Sequence, residues 1–147
     1  MSNGTQRKGW EVLRETGAFV LRLALAVIFI FHGGEKVGLF GTGSVSQTIQ
    51  NFQGMGIPPL LGYLAILAEL GGGIGLFFGF LTRLCGLGIV VVMAVAIAMV
   101  HGQHGFSMKD SGFEYNLALA AMGLYFVLAG GGPASVDNAI WGKRKKG

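Results

Sequence analysis

Glu69 sits in the middle of an otherwise uncharged apolar stretch, Pro58 to Leu81, and has the clearest claim to chemistry of any residue in this chain. The stretch has 24 residues, enough to cross a hydrocarbon layer of about 30 Å. At about 1.5 Å of rise per residue, Glu69 lies roughly 17 Å from either end of it. A charged group at that depth costs on the order of 3 kcal/mol to insert, so Glu69 is expected to face other helices or a wet cavity. Taken out of water, a carboxyl group can hold and release a proton.

The three histidines fall at the ends of apolar stretches: His32 closes the first, and His101 and His104 close the third. Glu35, Lys36, Lys109, Asp110, Glu114 and Tyr115 belong at the same level. Imidazole titrates near neutral pH and relays protons. Such groups gathered above a buried glutamate suit proton-coupled chemistry of a hydrophobic redox carrier such as a quinone. Quinol oxidation needs a proton acceptor and an apolar slot for ring and tail, and no protein nucleophile. The plainer readings are histidines resting at a membrane interface and Glu114 capping a helix. His101-x-x-His104 has metal-ligand spacing, but Gly102 breaks the helix between them, and no metal is assigned. Haem between His32 and His101 is not assigned either, because both lie high in the membrane. Arg22 has two open readings, snorkelling to the headgroups or pairing with a carboxylate inside the bundle.

These residues need helices to position them. Of 147 residues, 52% are apolar and 12% charged, with mean hydropathy +0.60, against about a quarter charged in a soluble domain. Gly17–Phe31, Leu84–Val100 and Asn116–Ala129 join the stretch around Glu69. The expected fold is an all-α membrane protein, a four-transmembrane-helix bundle forming one domain over residues 17–132. Residues 1–16 are expected to be a cytoplasmic N-terminal segment, and 133–147 a basic cytoplasmic tail. No small-x-small cleavage site follows Phe31, so the first span is read as uncleaved.

Basic residues set the orientation. Arg7, Lys8, Arg14, Arg22, Arg83 and the run Lys143 to Lys146 fall on one side, leaving only Lys36 and Lys109 on the other. By the positive-inside rule both termini are cytoplasmic, in a bacterial plasma (inner) membrane. The terminal basic run fixes topology or meets anionic lipid; nucleic acid is not an expected partner. Cys85 is the single cysteine, which rules out an internal disulfide or a Cys-x-x-Cys pair within this chain.

The first outer loop, His32 to Ile57, is too long for a bare connector. Ser44-Val45-Ser46-Gln47 reads as a capping box. Val45, Ile49, Phe52 and Met55 follow at helical spacing, so a short amphipathic interfacial helix is expected in this loop. Pro58-Pro59 suits the first turn of span two. Within that span Gly71, Gly75 and Gly79 form a small-residue ridge, while Gly62, Ala65, Gly72 and Gly73 share the face of Glu69 and leave space beside it. Ser111-Gly112-Phe113-Glu114 reads as a second capping box, opening span four. Phe31-His32-Gly33 and Val100-His101-Gly102 echo each other, a weak sign of duplication.

Together the residues resemble the DoxX family of small four-helix bacterial membrane proteins. The resemblance rests on Leu21-Arg22, Gly33-Gly34-Glu35-Lys36-Val37, Met55-Gly56-Ile57-Pro58, Ala68-Glu69-Leu70-Gly71-Gly72, Gly79-x-x-Thr82-Arg83, His101, Glu114-Tyr115-Asn116-Leu117 and Gly132-x-x-Ser135-x-Asp137. It implies a plasma-membrane protein tied to redox metabolism, in a family described among thiosulfate:quinone oxidoreductases, quinol-oxidase-associated subunits and partners of thiol and oxidative-stress enzymes. Arg22, Lys36, Glu69 and His101 fit the family pattern; His104 does not.

The expected function is a redox-associated membrane subunit that binds a quinone-type lipophilic carrier and works with a partner holding the electron-transfer cofactor. It would assemble in a hetero-complex or as a homo-oligomer, surrounded by membrane lipid. The alternatives are a structural or assembly subunit of a larger respiratory complex without a ligand, and a proton-coupled transporter or scaffold using Glu69. The candidate binding and proton-relay residues are Glu69, His32, His101, Lys36 and Arg22. His32, Glu69 and His101 are expected to line one cavity opening outward between spans one, two and three.

Overall fold

The computed structural model describes residues 3–142, with side-chain surroundings from Lys8 onward. We number the helices in chain order. The first, α1, runs Asn3–Val37, and α2 covers Val45–Gly54. The third, α3, spans Pro59–Phe78 and α4 spans Thr82–His104; α5 covers Glu114–Ala129 and α6 the six residues Val136–Trp141. Three of them, α1 from Lys8, α3 and α4, are long and apolar enough to cross a membrane; α5 is a shorter apolar helix. The chain is an all-α membrane protein built on four apolar helices.

Packing closes these four into a ring: α1 lies against α3, α3 against α4, α4 along the length of α5, and α5 returns to α1. Leu25, Ala26 and Phe29 of α1, Leu76 of α3, Ile89 and Met93 of α4, and Leu119 and Phe126 of α5 form the buried core. Small residues set the spacing. A Cβ on Gly86 of α4 would lie 2.7 Å from the Gly123 carbonyl oxygen of α5, so those two backbones touch. Likewise a Cβ on Gly73 of α3 would lie 2.7 Å from the Ile30 nitrogen of α1. Of the small-residue ridge, Gly75 meets the Cys85 sulfur of α4 and Gly79 the Arg22 guanidinium, while Gly71 stays exposed with one contact, to Leu67 Cδ1 at 3.4 Å.

Helix ends follow local chemistry. The Ser44 hydroxyl accepts the Gln47 amide at 3.2 Å and starts α2 where the capping signal placed it. Pro59 occupies the first turn of α3, and Gly79, at φ +68, ends that helix in the left-handed region. Leu81 also has a positive φ, +48, costly for a residue with a Cβ. Asp137 of α6 holds it there: its carboxylate accepts the amides of Leu81 at 2.7 Å and Thr82 at 2.8 Å.

Several boundaries differ from expectation. The first helix does not stop near His32 but continues through Gly33 and Gly34 to Val37, shortening the first loop. Residues 3–16 form the opening turns of that same helix. Ser111 is not a cap; it has φ +64, and Glu114 folds back instead to accept the Met108 amide at 2.6 Å. Residues 136–141 of the tail fold as α6 and dock Trp141 on Phe80, ring centroids 6.5 Å apart. The basic run Lys143 to Lys146 lies outside the described residues.

Candidate functional site

Glu69 occupies a turn of π-helix, Leu67–Gly71, inserted into α3. His101 occupies a second one, Ile97–His101, near the end of α4. A π-turn places one extra residue in the helix, shifts the side chains beyond it, and is frequent at functional sites. Two of the five candidates, Glu69 and His101, thus sit on the two π-turns among the described residues.

The glycine at position 33 brings α1 onto the first π-turn. A Cβ there would lie 2.6 Å from the Leu70 nitrogen and 2.7 Å from its Cα, so only glycine permits this approach. One turn later Lys36 reaches across and its Nζ pairs with Glu69 Oε2. The carboxylate is buried, with 6% of its side chain exposed, against 27% for the lysine. The sequence reading offered Arg22 as the cation for a carboxylate inside the bundle; it placed Lys36 in a loop and missed it as the counter-charge. Thr48 of α2 donates to the Lys36 carbonyl at 3.0 Å, and the Phe52 ring lies 5.9 Å from the lysine nitrogen. The interfacial helix therefore covers the ion pair.

His101 Nδ1 lies 2.7 Å from the Ser111 carbonyl oxygen. A carbonyl can only accept, so Nδ1 carries the proton, and in the neutral ring Nε2 keeps its lone pair. His32, half exposed, lies 3.5 Å from Glu35. Asn116 is buried and donates to the Met93 sulfur at 3.6 Å, a weak acceptor.

A cavity of about 640 Å³ connects these groups, lined by His32, Lys36, Glu69, His101, Tyr115 and Asn116 among mostly aliphatic side chains. All four apolar helices contribute to its wall, α5 included, together with Phe52 of α2 and Met55 just after it. Of the residues sharing the Glu69 face, Ala65 is left lining this space. Gly62 instead receives Ile49 and Phe52, and Gly73 receives α1.

Arg22 does not join them. It is 1% exposed, at the opposite end of the bundle, where its Nη2 donates to the Ala134 carbonyl at 2.5 Å. It neither snorkels nor pairs with a carboxylate in the bundle, because α6 and the preceding loop cover it. A Cβ on Gly79 would collide with its guanidinium, so this arginine locks the α3–α4 turn to the C-terminal segment. His104 is exposed beside Gln103, away from the cavity. Sequence reasoning missed Asn116 as a cavity residue; a lone amide within an apolar stretch was the available signal.

The DoxX family model matches residues 17–102, which span α1 from Gly17 onward, α2, α3 and nearly all of α4, and so Lys36, Glu69 and His101. "Inner membrane protein YqjF" of Escherichia coli (strain K12) is 30% identical over 128 residues, 87% of this chain and 95% of that protein. CatD of Bacillus subtilis (strain 168), named as a candidate oxidoreductase, is 31% identical over 134 residues, 90% of this chain and 93% of its own length. An uncharacterized Haemophilus influenzae protein is 31% identical over 65 residues, 44% of this chain and 43% of that protein. No solved structure matches. The chain belongs to the DoxX family.

Proposed function

We propose that this DoxX-family membrane protein is a redox-associated subunit whose cavity binds the ring of a quinone-type carrier. One observation carries the reading: the Glu69–Lys36 ion pair and His101 converge on a mostly apolar space of about 640 Å³. That volume lies within the usual range of small-molecule sites, which combine apolar walls with a few placed polar groups. Oxidation of a quinol releases two electrons and two protons. His101 Nε2 is positioned to accept one proton, and the Glu69–Lys36 pair to take the other and pass it toward His32 at the rim. The electrons go to a cofactor held by a partner subunit, since a lone Cys85 offers this chain no dithiol of its own. The relative named as a candidate oxidoreductase supports this class of reaction. In the oriented membrane the cavity would open on the side opposite both termini. Proton transport without a bound carrier would use the same ion pair, but would leave the long aliphatic wall without a role.

Binding of the reduced, quinol form of a short-chain analogue to protein in lipid nanodiscs tests this. His101→Ala and Glu69→Gln should each weaken binding about tenfold, the loss of one hydrogen bond donated by a quinol hydroxyl and worth about 1.4 kcal/mol. Leu128→Ala, on an exposed face of α5, should leave it unchanged. Unaltered binding in both site variants, or no binding by the unaltered protein, would overturn the proposal.

A further inference from the structure

A second space of about 640 Å³ runs between α3 and α4, and it is almost entirely apolar. Leu67, Leu84, Leu87 and Phe80 line it, over a floor that includes Ala68, Gly71, Gly75 and Gly88. It shares Leu64 and Val91 with the cavity that holds Glu69 and His101, so the two adjoin along one wall. The first π-turn serves both: Glu69 lines the cavity while its neighbours Leu67 and Ala68 line the groove.

We propose that this groove holds the hydrocarbon tail of the carrier whose ring occupies the cavity, making the ligand a long-chain, isoprenoid-type membrane quinone rather than a small soluble one. The inference rests on the functional reading above and deepens it. Length supports it: along α3 the lining runs from Leu64 to Gly75, 11 residues of rise or about 17 Å, over half of the hydrocarbon thickness of about 30 Å, and it ends at Phe80 just beyond the helix. A ring alone has no use for such a channel, whereas a tail entering at the shared wall fills it. Nor is the floor shaped for a helix of a second copy. A Cβ on Gly75 would strike the Cys85 sulfur of α4, and one on Gly88 would lie 3.3 Å from the Ala68 Cβ of α3. Those glycines draw α3 and α4 together and present no free ridge to a partner helix. Gly71 alone on the floor faces open space beyond a single contact, 3.4 Å from Leu67 Cδ1.

The test uses the full chain in nanodiscs and two probes, a short-chain quinone analogue and a long-chain one with a photoreactive group at the tail end. Irradiation should place adducts on Leu84 and Leu87, and excess unlabelled long-chain quinone should remove them. Gly71→Leu, which fills the groove at its open glycine, should lower long-chain affinity about tenfold and leave short-chain affinity in place. Short-chain binding that persists without competed adducts, or with long-chain affinity unchanged in Gly71→Leu, refutes the groove and spares the cavity. Loss of short-chain binding to the unaltered protein refutes both. Adducts given equally by a photoreactive phosphatidylcholine, and not displaced by quinone, identify ordinary surrounding lipid and overturn the inference. Cross-links at Leu84 to a second copy do the same.

Discussion

Breaking the Lys36–Glu69 pair from each side should give unequal losses, and the inequality follows from burial. A fully buried pair costs about 3–5 kcal/mol when one partner is removed, and an exposed pair about 0–1 kcal/mol. With side-chain exposures of 27% for Lys36 and 6% for Glu69, this pair lies between those limits. Lys36→Met leaves a buried carboxylate without a cation and should cost about 2–3 kcal/mol. Glu69→Gln leaves a lysine whose long stem can carry its charge toward the cavity mouth, and should cost about 1 kcal/mol. The double variant removes both charges and should lose no more than Glu69→Gln alone, so the coupling energy comes to at least about 2–3 kcal/mol. Equilibrium unfolding of the four proteins in one detergent supplies the cycle. A coupling below about 0.5 kcal/mol, the level at which independent sites add, would mean that the contact contributes nothing. Equal losses from the two single variants would refute the argument from burial.

The remaining predictions probe what places the pair. Gly33→Ala sets a Cβ 2.6 Å from the Leu70 nitrogen, where backbone cannot yield. It should cost about 1–3 kcal/mol in the same unfolding assay and weaken the Lys36–Glu69 coupling, while Gly71→Ala, with only a side-chain contact at 3.4 Å, should be nearly neutral. Asp137→Ala removes the acceptor for the Leu81 and Thr82 amides. It should cost about 1–2 kcal/mol, the usual loss for a helix cap, and raise hydrogen exchange at those two amides; unchanged exchange would refute the capping role. For orientation, a cysteine at Thr42 in a Cys85→Ser background should react with an impermeant thiol reagent applied outside the cell, and one at Lys145 should not. The reverse pattern would invert the assigned topology.

Much of this was readable from residue types, and the failures share a cause. Four apolar stretches, the Ser44 cap and the helical spacing of Ile49 and Phe52 are local signals, and the helices formed where they stood. Glu69 was conspicuous because a carboxylate in an apolar run has few bland explanations. Its partner was not, because hydropathy ends the first span near Phe31 while the backbone continues to Val37. Two consecutive glycines look like a break, since glycine disfavours helix by about 1 kcal/mol. Here Gly33 is retained because a neighbouring backbone occupies the place of its side chain. Ser111 failed as a cap for the converse reason: it matched a local pattern, but Glu114 found a better use in holding the Met108 amide.

The π-turns were invisible, and they bear most directly on function. An i→i+5 turn leaves no mark in composition, since Leu67–Gly71 and Ile97–His101 read as ordinary helix. Each inserts a residue, so side chains before and after it no longer share one helical face. Within the first of them the adjacent residues Ala68 and Glu69 serve different walls, the groove and the cavity. A regular helix with the same sequence would align those faces differently and move Glu69 relative to Lys36. The site is therefore specified at two levels: residue type supplies the acid, base and cation, and helix-to-helix contact at Gly33 and Gly73 fixes the backbone against which they meet. A sequence read one helix at a time contains the first level only.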